Sequence, residues 1–274
     1  MSFTHPDGLT LYGDLFSQPV RAIHAFLTLN KVPFTFKHVD LMGGENKSDW
    51  YLENIHPQGK MPAIIDKSSK GLYTLFESHA ILRYVTHKYP SLVPEHWYPT
   101  DPVARARVDQ YLDWHHSNMR QGCTYFLVYK YLVPSIMRKI NGKDYKESDF
   151  EAYQRENNRK LMHYALKQIE TFWLKPNSTS PKLSLIQSPP HTKFDSPYSH
   201  LTIADLSSAC EIAQVWLLDP EEMDLERKYP LTYKWVTSVV GIKEVAEVQE
   251  EFLRKNKMKT PGTIKRQKEE QAKL

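Results

Sequence analysis

Apolar and polar positions change period several times along the first third of the chain, and each change marks an element. Leu9 to Phe16 is short and mostly apolar and predicts a buried strand. Pro19 then suits the first position of a helix, where its missing N–H costs nothing. Ile23, Phe26 and Leu27 recur at helical spacing, and Asn30 marks the stop. Phe34, Phe36 and His38 alternate with Thr35 and Lys37, which predicts a second strand. Leu41 to Asp49 reads as loop, and Trp50-Tyr51-Leu52 as a short helical turn. Met61 to Asp66 predicts a third strand with Pro62 at its start, since proline cannot donate to a sheet ladder. Lys70-Gly71 is a turn into a fourth strand, Leu72 to Leu75, and Ala80, Ile81, Tyr84 and Val85 mark a helix after Glu77-Ser78. The order β-α-β-α-β-β-α predicts a small mixed sheet, with one parallel pair, one hairpin and helices on its faces.

Tyr89 to Pro94 breaks all periodicity and reads as a linker, after which the pattern is purely helical. The chain therefore divides into an α/β domain over residues 1–90 and an all-α domain over 97–274. Thr100-Asp101-Pro102 is a strong helix start ahead of Val103 to Met119. Tyr125 to Ile140 carries Pro134 inside it and is expected to kink or split there. Ser148 and Glu151 form a capping box that opens a long helix through Phe172. Residues 175–200 are rich in Ser and Pro and predict a long surface loop. Thr202 and Asp205 have capping spacing ahead of an apolar helix, Leu206 to Leu217. Helices over Leu231 to Val239 and Lys243 to Lys255 follow, and the charged stretch 257–274 reads as a tail.

Composition narrows the function classes. The 274 residues carry a formal charge of only +4, with Lys and Arg interleaved with Asp and Glu, so no nucleic-acid partner is implied. Arg105 and Arg107 read as one helix face. Cys123 and Cys210 are the only cysteines and lie far apart. With no secretory signal at the start, an intracellular, reducing location is expected. No apolar run approaches the ~18 residues that a membrane span needs. His115-His116 and the other histidines lack metal-ligand spacing, so no metal is expected. Ser17 stands between a strand and the positive end of a helix. That place suits a helix cap, and it equally suits a bound anion or thiolate.

Four motifs in order resemble the glutathione S-transferase family. They are Ser17-Gln18-Pro19, Pro57-Gln58-Gly59-Lys60-Met61-Pro62, Glu77-Ser78-His79-Ala80-Ile81 and Thr202-Ile203-Ala204-Asp205-Leu206. Leu15-Phe16-Ser17-Gln18-Pro19, Trp97-Tyr98-Pro99 and the run from Ala104 to Trp114 are similar to the theta class. The resemblance implies a thioredoxin-like first domain that binds glutathione and a helical domain that binds a hydrophobic electrophile. Glutathione is then a co-substrate and no cofactor is needed. It implies conjugation of the glutathione thiolate, with reduction of organic hydroperoxides as a related activity.

The resemblance also assigns roles. Ser17 would stabilise the sulfur anion by donating a hydrogen bond, while Tyr12, which serves in other classes, lies inside the strand. Pro62 would be cis and the Met61 backbone would meet the cysteinyl part of glutathione. Glu77 and Ser78 would receive its γ-glutamyl end, and Lys47 and Lys60 its glycyl carboxylate. Asn46 stands where theta enzymes often have histidine and would hydrogen-bond glutathione in its place. Asp109 would reach the glutathione of a neighbouring subunit, which implies a homodimer. Arg120 would line the electrophile pocket, whose apolar wall is expected from Tyr111 to Tyr125 and the C-terminal segment. Asp205 is expected to serve folding. The same fold is also used as a non-enzymatic assembly module, but a scaffold has no need of Ser17, Met61-Pro62 and Glu77-Ser78 together. A cytoplasmic location is expected. Ala272-Lys273-Leu274 resembles a peroxisomal address and gives the alternative.

Overall fold

The computed structural model describes residues 8–68, 71–142, 144–174, 184–186, 201–219 and 221–255. Its first domain is built on β1 (Leu9–Gly13), α1 (Gln18–Leu29), β2 (Phe34–His38), α2 (Asp49–Asn54), β3 (Ala63–Ser68), β4 (Gly71–Phe76) and α3 (Ser78–Lys88). The sheet order is β2-β1-β3-β4. The first two strands run parallel through the α1 crossover, and the rest pair antiparallel. This is the expected thioredoxin-like arrangement.

The two-residue period of the strands separates two cores. Leu9, Leu11 and Ile64 face the larger one, while Tyr12, Ala63 and Ile65 face a smaller cluster with Val39, Tyr51 and Ile55. The first strand is shorter than its apolar run suggests, ending at Gly13 rather than Phe16. Asp14 accepts the Phe16 N–H at 2.9 Å through its own side chain, which turns the chain. The carbonyls of Leu15 and Phe16 are then taken by Arg21 Nη1 at 2.8 and 2.9 Å, so neither is available to a ladder.

In the helical domain, α4 (Pro102–His115), α5 (Gln121–Leu127) and α6 (Val133–Asn141) form one rod. The helices expected over Val103–Met119 and Tyr125–Ile140 are continuous with each other, because π-helical segments His116–Arg120 and Val128–Leu132 join the three. Pro134 sits just after the second of these. A widened turn drops one main-chain bond from the ladder, so the missing N–H costs least there. The Ser148–Glu151 capping box opens α7 (Asp149–Gln168) as expected, with Ser148 N–H donating to Glu151 at 2.8 Å. A further π-helical segment carries this helix on to Trp173.

The apolar helix after Thr202 begins earlier than expected, as α8 (Ile203–Ile212), and tightens into a 3₁₀ stretch over Ala213–Leu217. A short helix, α9 (Leu225–Lys228), precedes α10 (Pro230–Val240) and α11 (Lys243–Lys255). Asp205 is a folding residue: buried, it accepts from Leu185 N–H at 2.7 Å, Trp235 Nε1–H at 3.1 Å and Thr202 N–H at 2.9 Å. Among the described residues, no helix is long and apolar enough to cross a membrane. The 257–274 tail and all of the 175–200 loop but residues 184–186 lie outside them.

The larger core does not stop at the domain boundary. It runs from Leu9 and Phe26 through Trp97, Tyr111 and Phe126 to Trp235 and Val248. Phe26 meets the edge of Trp97 at 5.2 Å. α1 packs against both α8 and α11, so the helix that begins at the Ser17 corner also anchors the second domain.

Candidate active site

Strand register brings the first-domain motifs together. Tyr12 pairs with Ala63, and Ala63 with Phe76. The segments next to these residues are therefore neighbours at one end of the sheet: Asp14–Ser17 leaving β1, Met61–Pro62 entering β3, and Glu77–Ser78 leaving β4. The Met61–Pro62 peptide is cis. Asp14 N–H reaches Met61 Sδ at 3.2 Å, a direct contact between two of the three segments. Asp14 also has an oxygen 3.6 Å from His38 Nε2 and accepts from Leu41 N–H at 3.3 Å. It organises the corner, and only its i to i+2 turn spacing marks it in the sequence.

Ser17 occupies the N-cap place of α1 but does not cap it: its side chain makes no hydrogen bond to the helix. Its main chain does the structural work, with N–H donating to Asp14 O at 2.9 Å and C=O accepting from Arg21 N–H at 3.1 Å. The hydroxyl stands without a capping bond at the positive end of a 12-residue helix. Tyr12 is in the smaller core, and burial pushes its phenol pKa up, so it is poorly suited to hold a thiolate.

Ser78 opens α3 and is buried, with an Oγ that has no partner among the described residues. Glu77, just before it, is exposed and holds φ at +70°, a costly backbone conformation for a residue with a Cβ. His56 stacks on Phe76 at 4.3 Å. Burial lowers its pKa, the Glu77 charge raises it, and Lys60 and Lys47 oppose it, so these charges share one neighbourhood.

Asn46 is buried and donates to the Gly59 carbonyl at 2.6 Å, while Lys47 Nζ donates to Gln58 O at 2.9 Å and Tyr51 OH to Lys60 O at 2.8 Å. Gly59 is obligatory here. Its φ is +59°, and an added Cβ would lie 2.4 Å from the Asn46 carbonyl. Asn46 thus braces the loop that presents Lys60 and Met61.

Asp109 belongs to a different set of contacts. It pairs with Arg83 at 2.6 Å and accepts from Tyr98 OH, on the seam between α3 and α4. Tyr111, expected in a pocket wall, is fully buried: its ring meets Trp173 at 4.8 Å and its hydroxyl bonds Ser208. Tyr125 is exposed. Arg120 lies in the first π-helical segment and gives its Nε to Glu211 at 3.3 Å.

Behind these residues runs a polar seam that spacing does not reveal. His79, the residue after Ser78, bonds Ser207 at 3.0 Å and His115 at 3.2 Å, and its ring packs 4.3 Å from His116. Burial, chiefly, holds all three histidines below their ordinary pKa, and the Arg120 charge adds to it. The signal available in the sequence is His115-His116 on the helix face that carries Tyr111 and Leu112. Among the described residues, no group of three or more His, Cys, Asp or Glu side chains is placed to hold a metal ion.

Residues 7–87 match the family model for the glutathione S-transferase N-terminal domain. Glutathione S-transferase T1 of Arabidopsis thaliana is 36% identical over 214 residues, which cover 78% of this chain and 75% of that protein. For several other curated relatives, the match covers 31% to 50% of their length. The apo structure of human glutathione S-transferase T1-1 superposes with a TM-score of 0.68 at 31% identity, covering 94% of this chain and 95% of that one. A human theta-class transferase solved with the glutathione conjugate of 1-menaphthyl sulfate gives 0.67 at 28% identity, covering 94% and 96%. With its Ser17 corner, its cis Met61–Pro62 peptide and these relatives, the chain belongs to the glutathione S-transferase family and is theta-class-like.

Proposed function

We propose that the protein conjugates glutathione, as its thiolate, to hydrophobic electrophiles. The observation that carries the reading is the Ser17 hydroxyl, placed at the α1 N-terminus with no capping bond. A free thiol has a pKa of about 8.5 and is mostly protonated at neutral pH. A hydroxyl donor and a helix end favour the anion. The thiolate attacks an electrophilic carbon, the new C–S bond forms as the bond to the leaving group breaks, and the leaving group departs with the electron pair. Ser17 donates and does not attack.

The remaining roles follow from charge and donor type. Glu77 pairs with the glutathione ammonium, and the unpartnered Ser78 Oγ and the α3 N-terminus receive the γ-glutamyl carboxylate. Lys47 and Lys60 face the glycyl carboxylate, Asn46 holds their loop, and the Met61 main chain meets the cysteinyl unit. Arg120 stabilises the departing anion. With an organic hydroperoxide, the same thiolate attacks oxygen and forms glutathione sulfenic acid and the alcohol. The working unit is a homodimer. Asp109 reaches a second subunit only by sharing or leaving its bond to Arg83. The location is cytoplasmic; a fluorescent fusion that masks Ala272-Lys273-Leu274 separates this from a peroxisomal address, which requires the free end.

The test is conjugation by the full chain across alkyl halides, aryl halides, epoxides and hydroperoxides. Glutathione-dependent turnover above the uncatalysed rate is expected with at least one class. Turnover with none, together with no binding of glutathione, leaves the assembly-module reading.

A further inference from the structure

Glu211 is fully buried in α8, at the seam of the two domains, and has no part in the chemistry above. Its Oε1 accepts from the Thr124 hydroxyl, from Gln214 Nε2 at 3.1 Å and from Gln18 Nε2 at 3.4 Å. Its Oε2 accepts from Arg120 Nε at 3.3 Å, and His115 Nε2, which has no hydrogen-bond partner among the described residues, stands 3.9 Å away. Gln18 follows Ser17 directly and also donates to Thr124. One carboxylate therefore touches the neighbour of Ser17 with one oxygen and Arg120 with the other.

We propose that Glu211 is a positioning residue that sets Arg120 in register with the Ser17 corner; this rests on the roles given to those two residues above. Among the described residues, the terminal amino groups of Arg120 have no hydrogen-bond partner, and the side chain is partly exposed. Fixed through Nε alone, the guanidinium keeps its outer fork for an anion. The partners of Glu211 all donate to it as they stand, so a carboxylate suits the place as built. A glutamine with its NH₂ towards Arg120 faces a donor, and one turned the other way keeps its place only if Thr124, Gln18 or Gln214 turns to accept. The site then loses its register while keeping its shape.

Kinetics with an alkyl halide test this on wild type, Glu211→Gln, Arg120→Ala, the double variant and Arg120→Lys. A misplacement of about 1 Å can cost ~100-fold, so Glu211→Gln is expected to lower kcat by roughly 10- to 100-fold, with KM for glutathione within about twofold. In the Arg120→Ala background, the same change should cost less than about threefold, because interacting sites are not additive. Arg120→Lys keeps the charge but replaces the planar fork, anchored at Nε with its terminal amino groups outward, by a compact ammonium that cannot reproduce that spacing, so it should resemble Glu211→Gln. A full Glu211→Gln effect in the Arg120→Ala background overturns the proposal, as does a wild-type rate from Arg120→Lys.

Binding read by calorimetry separates this from failure of the transferase reading. Glutathione sulfonate carries a negative charge at the sulfur and S-methylglutathione does not. Glu211→Gln should weaken the sulfonate several-fold more than the methyl compound. Equal weakening, which a structural role would give, overturns the positioning role even if no electrophile turns over. Failure of the wild type to bind either compound removes both readings.

Discussion

Replacing Ser17 with alanine separates the two roles that a serine at this corner can have. A serine that caps a helix contributes about 1 kcal/mol, but the Ser17 side chain makes no capping bond, and the main-chain bonds to Asp14 and Arg21 survive the change. The stability cost should therefore stay below about 0.5 kcal/mol, a fall in Tm of no more than ~2 °C for a chain of this size. The chemical cost is larger. A hydrogen bond to a charged group is worth about 1.5–3 kcal/mol, and 1.36 kcal/mol corresponds to about one pKa unit. The bound thiol should then titrate about one to two units higher, so the thiolate fraction and kcat should fall by roughly 10- to 100-fold below the wild-type pKa and by less at neutral pH. The assays are the pH profile of kcat/KM with an alkyl halide and a thermal melt. The rising limb should move to higher pH, and the variant should approach the wild-type rate in alkali. Unchanged turnover with a Tm lowered by 4 °C or more would show that the hydroxyl is a cap and refute the thiolate role.

Other consequences can be checked on the folded protein. Gly122→Ala places a Cβ 2.5 Å from the Met162 nitrogen and 2.6 Å from its Cα, backbone atoms of α7 that cannot give way cheaply. A loss of about 3 kcal/mol in a urea titration is expected, and a neutral result would deny the close α5–α7 approach. Asp205→Ala strands the buried N–H groups of Leu185, Thr202 and Trp235. At about 1–3 kcal/mol for each orphan, a Tm drop of ~10 °C is expected, with a smaller one for Asp205→Asn, which keeps an acceptor. Burial, chiefly, lowers the pKa of His79, His96 and His115 in the folded state. Below a pH of about 6.5 the unfolded chain takes up protons that these histidines refuse, so stability should be level above neutrality and fall as pH drops below that value. A urea midpoint that stays constant down to pH 5 would contradict their placement.

How legible the site was depended on how local each code is. The second strand, the Ser148–Glu151 box and the Thr202–Asp205 spacing are set by neighbours within a few residues, and they stand where the hydrophobic period and capping residues put them. Ser17 was legible as a place and ambiguous as a role. Only the absence of a capping bond, which is a matter of side-chain geometry, separates cap from ligand donor. The end of β1 was misread because Leu15 and Phe16 continue an apolar run, while their carbonyls are claimed by Arg21 from the following helix. That the helices over Val103–Met119 and Tyr125–Ile140 run on into each other was not legible, because sequence period carries no mark for a π-helical turn.

Glu211 lies 193 residues from Gln18 and 91 from Arg120, so no local pattern could assign it. One signal was nonetheless present. α8 is buried along its whole length, and Glu211 is a charged residue in its last turn, two turns past the one that Asp205 caps. Leaving a carboxylate unpaired there would cost several kcal/mol, so the helix is tolerable only if a cation and several donors arrive from elsewhere in the fold. Arg120, Thr124, Gln18 and Gln214 arrive from the α4–α5 rod, from α1 and from the 3₁₀ turn after α8. A charge in a fully buried helix therefore states a demand, and the residues that meet it here include the neighbour of Ser17 and the arginine assigned to the leaving group. The burial cost that makes Glu211 expensive also makes its partners' positions exacting. This is the physical reason to look for control of the reaction at a residue that touches neither substrate.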